Sequence, residues 1–177
     1  RLRKEPVAYP RLVLWLGSNI GNFERTEAAS FLRQVGTTLT TDDRLLIGID
    51  LRKDRSVLEP AYNDARGVTA QFNLNLLARI NRDLGGHFNL RTFRHRAVYN
   101  EEEGRMEIFL VSTVAQQVAI DQLKRKIPFA AGESIHTENS YKYSLAEIQH
   151  LATEAGFQLQ QQWLDRERRF SVNLLGK

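Results

Sequence analysis

The sequence predicts an α/β fold in which buried parallel strands are joined by helices and interrupted by an antiparallel block. Three observations lead there. Leu12 to Leu16 is a run of five apolar residues followed by the polar turn Gly-Ser-Asn-Ile-Gly-Asn, residues 17–22. Such a run reads as a strand buried on both faces, and glycines at its end let a ligand approach the backbone. Glu24 to Val35 then carries Ala28, Phe31, Leu32 and Val35 at helical spacing, with Gly36 as the stop. Arg44 to Leu51 is a second apolar run that ends in a polar Arg-Lys-Asp. Strand, helix and strand with short connections make a parallel pair. In open α/β sheets, ligands gather at the carboxyl ends of such strands.

The remaining elements follow in order. Ser56 to Ala65 reads as a short helix carrying Tyr62. Val68 to Leu84 reads as a longer one, with Phe72, Leu76, Leu77, Ile80 and Leu84 on one stripe and Gly85-Gly86 as its stop. Asn73, Asn75, Arg79 and Arg82 are expected on its wetter side. The period then changes: Arg94 to Tyr99 and Met106 to Val114 flank a polar Asn-Glu-Glu-Glu-Gly-Arg and read as a hairpin, with Lys126 to Phe129 as a further strand. Ser144-Leu-Ala-Glu147 is a capping box that opens a helix running to Ala155, with Gly156 beyond it. Phe157 to Trp163 alternates, and with Phe170 to Leu175 it forms a closing hairpin. The block at about residues 87–143 has the character of an insertion between parallel elements, a usual way to lay a substrate-binding layer over a sheet.

Composition excludes several classes. With 177 residues, 42% hydrophobic and 26% charged, the chain is a globular domain with room for a small insertion. No apolar run approaches the length of a membrane span. The absence of cysteine removes disulfides, thiolate metal sites and thiol nucleophiles, so a cytoplasmic enzyme or binding domain is expected. Net charge is +4, but 25 basic residues face 21 acidic ones and are scattered in short groups, which argues against a nucleic-acid partner. His87, His95, His136 and His150 stand at unrelated spacings and give neither a metal site nor a triad, so structural or surface roles are expected.

Polar residues at element ends could reach a shared crevice: Ser18, Asn19, Asn22, Asp50, Lys53, Tyr62, Asp64, Asn73, Glu138 and Ser140. Each also has a plainer reading. Asn22 could cap the following helix, Asp50 could pair with Lys53, and Tyr62 could pack with its hydroxyl wet.

Four blocks in register carry a resemblance that spans the whole chain. They are Leu16-Gly-Ser-Asn-Ile-Gly-Asn22, Gly48-Ile-Asp-Leu-Arg-Lys-Asp54, Ala61-Tyr-Asn-Asp-Ala-Arg-Gly-Val-Thr-Ala-Gln-Phe-Asn73 and Phe129-Ala-Ala-Gly-Glu-Ser-Ile-His-Thr-Glu-Asn-Ser-Tyr-Lys-Tyr143. Together they resemble the S-adenosylmethionine-dependent histidine Nα-methyltransferases of ergothioneine biosynthesis. The resemblance implies the C-terminal part of a Rossmann-like methyltransferase sheet with an inserted antiparallel β/α substrate-binding subdomain. On that reading residues 1–66 and 144–177 form the partial core and 67–143 the insertion.

The resemblance also implies roles. Gly17 and Asn22, with Asn19 nearby, and Tyr62 hold the amino and carboxylate groups of the amino acid, while Glu138 and Ser140 read the imidazole. A carboxylate accepting from an imidazole N–H makes a charge-assisted bond that a phenyl or alkyl side chain would leave unmade. Two positions depart from the family: Ile108, placed on the pocket wall, stands where Met is expected, and Asn19 stands where Thr or a similar small residue is frequent. The implied cofactor is S-adenosylmethionine, and the implied chemistry is in-line methyl transfer to a neutral α-amine, with catalysis mostly by alignment. The family's glycine-rich cofactor turn and ribose-holding acid would precede Leu12, so this stretch alone is expected to be inactive. Two other classes stay open: an amino-acid-binding or regulatory protein without the cofactor half, and a relative that methylates a different amino acid.

Overall fold

The structure is a computed structural model that describes residues 9–177. The chain divides into two compact units. The first comprises the described residues up to Lys53 together with Glu101–Arg105 and Asn139–Lys177; the second comprises Asp54–Asn100 and Met106–Glu138.

In the first unit, strands β1 (Leu12–Trp15) and β2 (Arg44–Asp50) are parallel, with Leu12 opposite Arg44 and Trp15 opposite Ile47. Helix α1 (Arg25–Gly36) joins them. Strands β8 (Gln158–Leu164) and β9 (Phe170–Gly176) form an antiparallel hairpin that pairs β9 with β2, so the sheet order is β1-β2-β9-β8. Helix α4 (Leu145–Glu154) begins at the expected capping box, with Ser144 Oγ accepting from Glu147 N–H and the Glu147 carboxylate accepting from Ser144 N–H. The core lies between the helices and the sheet and includes Ile20, Leu32, Leu45, Ile47, Ile148 and Leu151. Burying each such side chain contributes about 1.5–3 kcal/mol.

Two expectations change here. Among the described residues β1 ends the sheet, and one of its faces is uncovered: Leu12, Leu14 and Leu16 are 57%, 58% and 52% exposed, while Val13 and Trp15 pack inward. The alternation follows from the pleat, because only one face of β1 meets α1 and its neighbours. In the closing hairpin a register shift between Leu159 and Gln161 alters the simple alternation, and Trp163 is exposed.

The second unit opens with α2 (Arg55–Tyr62), started by Asp54, whose carboxylate accepts from Ser56 N–H. Helix α3 (Val68–Leu84) has the boundaries its apolar spacing predicts and ends at Gly85, which takes the left-handed φ of 64° that a helix stop requires. Strands β3 (Phe93–Asn100), β4 (Arg105–Ser112) and β7 (Ser134–Tyr141) form a sheet of order β3-β4-β7. A separate hairpin pairs β5 (Gln116–Ile120) with β6 (Arg125–Phe129). Helix α2 lies in the second unit, where Leu58 and Tyr62 pack with Ala97, Tyr99, Met106 and Ile108.

Helix α3 corrects a further expectation. Leu77 is buried, but Phe72 is 73% exposed, and Asn73, placed by the sequence on the wet side, is 92% buried by its 8% exposure. The stripe is therefore rotated relative to the one its apolar residues suggest. A polar partner inside the unit, described below, accounts for the burial of Asn73.

Candidate functional site

The turn after β1 is shaped by two left-handed residues, Gly17 at φ 88° and Ser18 at φ 59°. Asn19–Asn22 follows as one 3-10 turn, in which Gly21 N–H donates to Ser18 O at 3.0 Å. Gly21 is required by packing: a Cβ there would stand 2.6 Å from the carbonyl oxygen of Tyr141. Gly17 has open space around it, so its need is conformational, since a side chain at that φ is strained. Asn19 and Asn22 are exposed. Asn22 does not cap α1, because Glu24 holds that position in a reciprocal box with Glu27.

A chain of polar contacts runs from this turn to the end of β7 within the first unit. Ser18 Oγ accepts from the N–H of Asp50 at 2.8 Å, fastening the turn to the last residue of β2. The Asp50 carboxylate pairs with Lys53 through Oδ1 and with Lys142 Nζ through Oδ2 at 3.1 Å. Lys142 Nζ then donates to Ser140 Oγ at 2.8 Å. The structure thus joins the turn bearing Gly17, Asn19 and Asn22 to the buried Ser140 through Asp50 and Lys142.

Lys142, only 2% exposed, is absent from the candidates the sequence supplies. The signal that finds it is the period of two: residues 140 and 142 share one face of an extended chain, and Ser140 was already a candidate. Beside this chain, Tyr141 Oη donates to Glu24 and accepts from Arg105 Nη1 at 2.5 Å. Arg25 lies over the Tyr141 and Tyr143 rings at 5.3 and 5.0 Å.

In the second unit Tyr62, Ile108 and Glu138 are placed by different elements. Tyr62 ends α2 and packs on the cluster that contains Ile108. Ile108 is 4% exposed, so its side chain belongs to that cluster, and its carbonyl accepts from Thr137 Oγ1 at 3.0 Å. Glu138 is half-buried and lines a cavity of about 280 Å³ with Phe72, Asn73, Asn75, Leu76, Arg79 and Thr137. Phe72 and Leu76, exposed elsewhere on their surfaces, supply its apolar walls. A larger open groove of about 750 Å³ along α1 contains none of the candidate residues.

Behind that cavity lies a contact sequence reasoning missed. Asn73 Nδ2 donates to Phe109 O and to His95 Nδ1, each at 3.1 Å, and His95 Nε2 lies 2.8 Å from Tyr62 O. A carbonyl only accepts, so His95 carries its proton on Nε2, and Nδ1 is the acceptor for Asn73. This satisfied imidazole bears out the structural role expected of His95. Among the described residues no cluster of His, Asp and Glu is arranged to hold a metal ion, and no helix is long and apolar enough to cross a membrane.

Comparison with known proteins shows the family. The family described as "Histidine-specific methyltransferase, SAM-dependent" matches residues 1–177. The chain is 42% identical over 173 residues to a histidine N-alpha-methyltransferase of Mycolicibacterium smegmatis, covering 98% of this chain and 54% of that protein. It is 38% identical over 167 residues to the Mycobacterium tuberculosis protein of the same name, covering 94% of this chain and 52% of the relative. Ergothioneine biosynthesis protein 1 of Neurospora crassa is 33% identical over 176 residues, which cover 98% of this chain and 19% of that longer protein. The chain spans about half the length of the two bacterial relatives.

Proposed function

Because this chain belongs to the SAM-dependent, histidine-specific methyltransferase family, we propose that the enzyme carrying it methylates the α-amino group of L-histidine to give hercynine. The observation that carries the reading is Glu138, a half-buried carboxylate on the wall of a cavity whose other faces include Phe72 and Leu76. An apolar slot with one carboxylate suits a flat ring bearing an N–H donor. We assign Gly17, Asn19, Asn22 and Tyr62 to the amino acid's amino and carboxylate groups, and Glu138 and Ser140 to its imidazole. Ile108 would act from the core behind the pocket wall, setting shape through its neighbours. The core and insertion roles proposed for the two units follow the same division of labour. A cytoplasmic location fits a cysteine-free enzyme acting on a free amino acid.

The cofactor of the family is S-adenosylmethionine. A ribose is held by a carboxylate with oxygens to spare, and the strand-end carboxylate of the first unit is committed to two ammonium groups, Lys53 and Lys142. Asp50 is therefore not the carboxylate that would hold the ribose. The share proposed for this chain is to bind and orient the amino acid, with rate enhancement coming from alignment of its nitrogen.

Calorimetric titration of L-histidine into the longest protein the gene encodes tests the assignment. Glu138→Ala should weaken binding by about 1.5–3 kcal/mol, because the ring N–H is left without an acceptor. Unchanged affinity for histidine would remove Glu138 from the site.

A further inference from the structure

The cavity that contains Glu138 has a second polar wall whose orientation the structure determines. Asn73 is 8% exposed and lines the cavity. Its amide could be placed either way round, but Phe109 O accepts and cannot donate, so the group 3.1 Å from it is Nδ2. The second hydrogen of Nδ2 goes to His95 Nδ1, also at 3.1 Å. His95 can accept there only because its own proton is committed through Nε2 to Tyr62 O at 2.8 Å. Both donors of Asn73 are thereby turned away from the cavity, and its Oδ1 has no hydrogen-bond donor among the described residues.

We infer that Asn73 is a further specificity-determining residue, presenting Oδ1 to the Glu138 cavity as a second acceptor, and that His95 is the positioning residue that holds it so. This rests on the reading of the Glu138 cavity as the imidazole site. Two acceptors, Glu138 and Asn73 Oδ1, between the apolar faces of Phe72 and Leu76 select a flat ring with hydrogen-bond donors at its edges. An imidazolium, with an N–H at each ring nitrogen, meets that demand. A thiophene or phenyl ring of similar size fills the slot but leaves both acceptors without a strong donor, and a buried acceptor left unpaired is costly. The contact also links the cavity to Tyr62, assigned to the other end of the same amino acid, through one imidazole in a single tautomer.

The test uses the longest protein the gene encodes and compares dissociation constants for L-histidine and 3-(2-thienyl)-L-alanine. Asn73→Leu should narrow the preference for histidine about tenfold while leaving thienylalanine binding unchanged or tighter. His95→Leu should narrow it similarly, and His95→Gln, which keeps an acceptor for Asn73 and a donor for Tyr62 O, should restore it. Equal weakening of both ligands, or an unchanged ratio, would overturn the inference, since a merely structural role moves the two together. Glu138→Gln run in parallel separates the causes. If Glu138→Gln narrows the preference and Asn73→Leu does not, the inference alone fails; if neither does, the imidazole reading fails and the inference with it. Should thermal melts show that Asn73→Leu does not fold, the ratio in His95→Leu against His95→Gln decides by the same criterion.

Discussion

The two units differ in where they bury charge: Asp43 and Lys142 are buried in the first, while the buried polar side chains of the second, Asn73 and Ser112, are neutral. In the first, the buried charges are met by opposite ones: Asp50 sits between Lys53 and the buried Lys142, and the buried Asp43 receives a forked pair from Arg11, while the buried neutral groups Ser171 and Asn173 bond to each other and to the carbonyls of Ile49 and Ile47. In the second, the polar centre beside the cavity is uncharged, an amide and an imidazole that end on two backbone carbonyls. An ion pair removed from water tolerates little rearrangement, because losing one partner strands the other charge. A neutral relay with its last acceptor turned toward a cavity is a directional device that a ligand can complete. The comparison teaches where to look for stability and where for selectivity: the ionic unit should register mutations in its melting, the neutral relay in its choice of ligand.

The largest effect that would break this distinction is in the first unit. Lys142→Met fills nearly the same volume but withdraws the ammonium from Asp50 and Ser140, and should destabilise the protein by about 3 kcal/mol in urea unfolding. An unchanged midpoint would show that the buried lysine is no structural element. Its place in the fold would then be a matter of function, as for Asn73.

Acid is a gentler probe of both units. Asp43 lies well below the usual carboxylate range, chiefly through its hydrogen bonds to the Arg11 guanidinium and also through the N–H groups of Thr40 and Arg11. In the second unit, Asp64 is held down to about 2, first by the N–H of Thr69, then by the Thr69 hydroxyl and the Val68 N–H. A carboxyl depressed in the folded state adds stability that is fully present above its unfolded value, near about 3.9, and is lost as pH falls toward the folded one. The urea midpoint should therefore stay level from pH 7 to about 4.5 and fall below about pH 4. Asp43→Asn should flatten part of that fall. A decline beginning above pH 5 would point to other groups and refute the assignment.

How much of this was legible in the sequence differs by element. α3 was readable to its boundaries because apolar spacing, a left-handed glycine stop and an acidic residue before it agree. β2 and the Ser144 capping box were equally plain, since their signals are local. β7 was not: Ser-Ile-His-Thr-Glu-Asn-Ser-Tyr has no apolar alternation, and its strand character comes from pairing with β4, far away in sequence. β5 is five residues opening with two glutamines, too short for a period to emerge. For the site, the resemblance pointed to Glu138 and Ser140, and only the period of two from Ser140 points to Lys142, while nothing local marks Asn73 as buried. A polar residue enters a core only where partners await it, and those partners, His95 and Phe109 O for Asn73 and Asp50 for Lys142, lie on other elements.

The smallest expected effect gives the sharpest test of the first unit's polar logic, because two neighbouring tyrosines differ only in what their hydroxyls meet. Tyr141 Oη is engaged on both sides, donating to Glu24 and accepting from Arg105 at 2.5 Å. Tyr143 Oη is buried with no hydrogen-bond partner, and burial pushes its phenol up to about 12. Removing a hydroxyl bonded to charged groups costs about 1.5–3 kcal/mol, whereas removing one already without a partner costs nothing in bonds and relieves its desolvation. Tyr141→Phe should therefore lower the urea midpoint, and Tyr143→Phe should leave it unchanged or raise it by up to about 1 kcal/mol. Were Tyr143→Phe to lower stability as much as Tyr141→Phe, the hydroxyl of Tyr143 would have a partner in solution. It would then join Ser171 and Asn173 among the buried neutral groups of this unit that have partners.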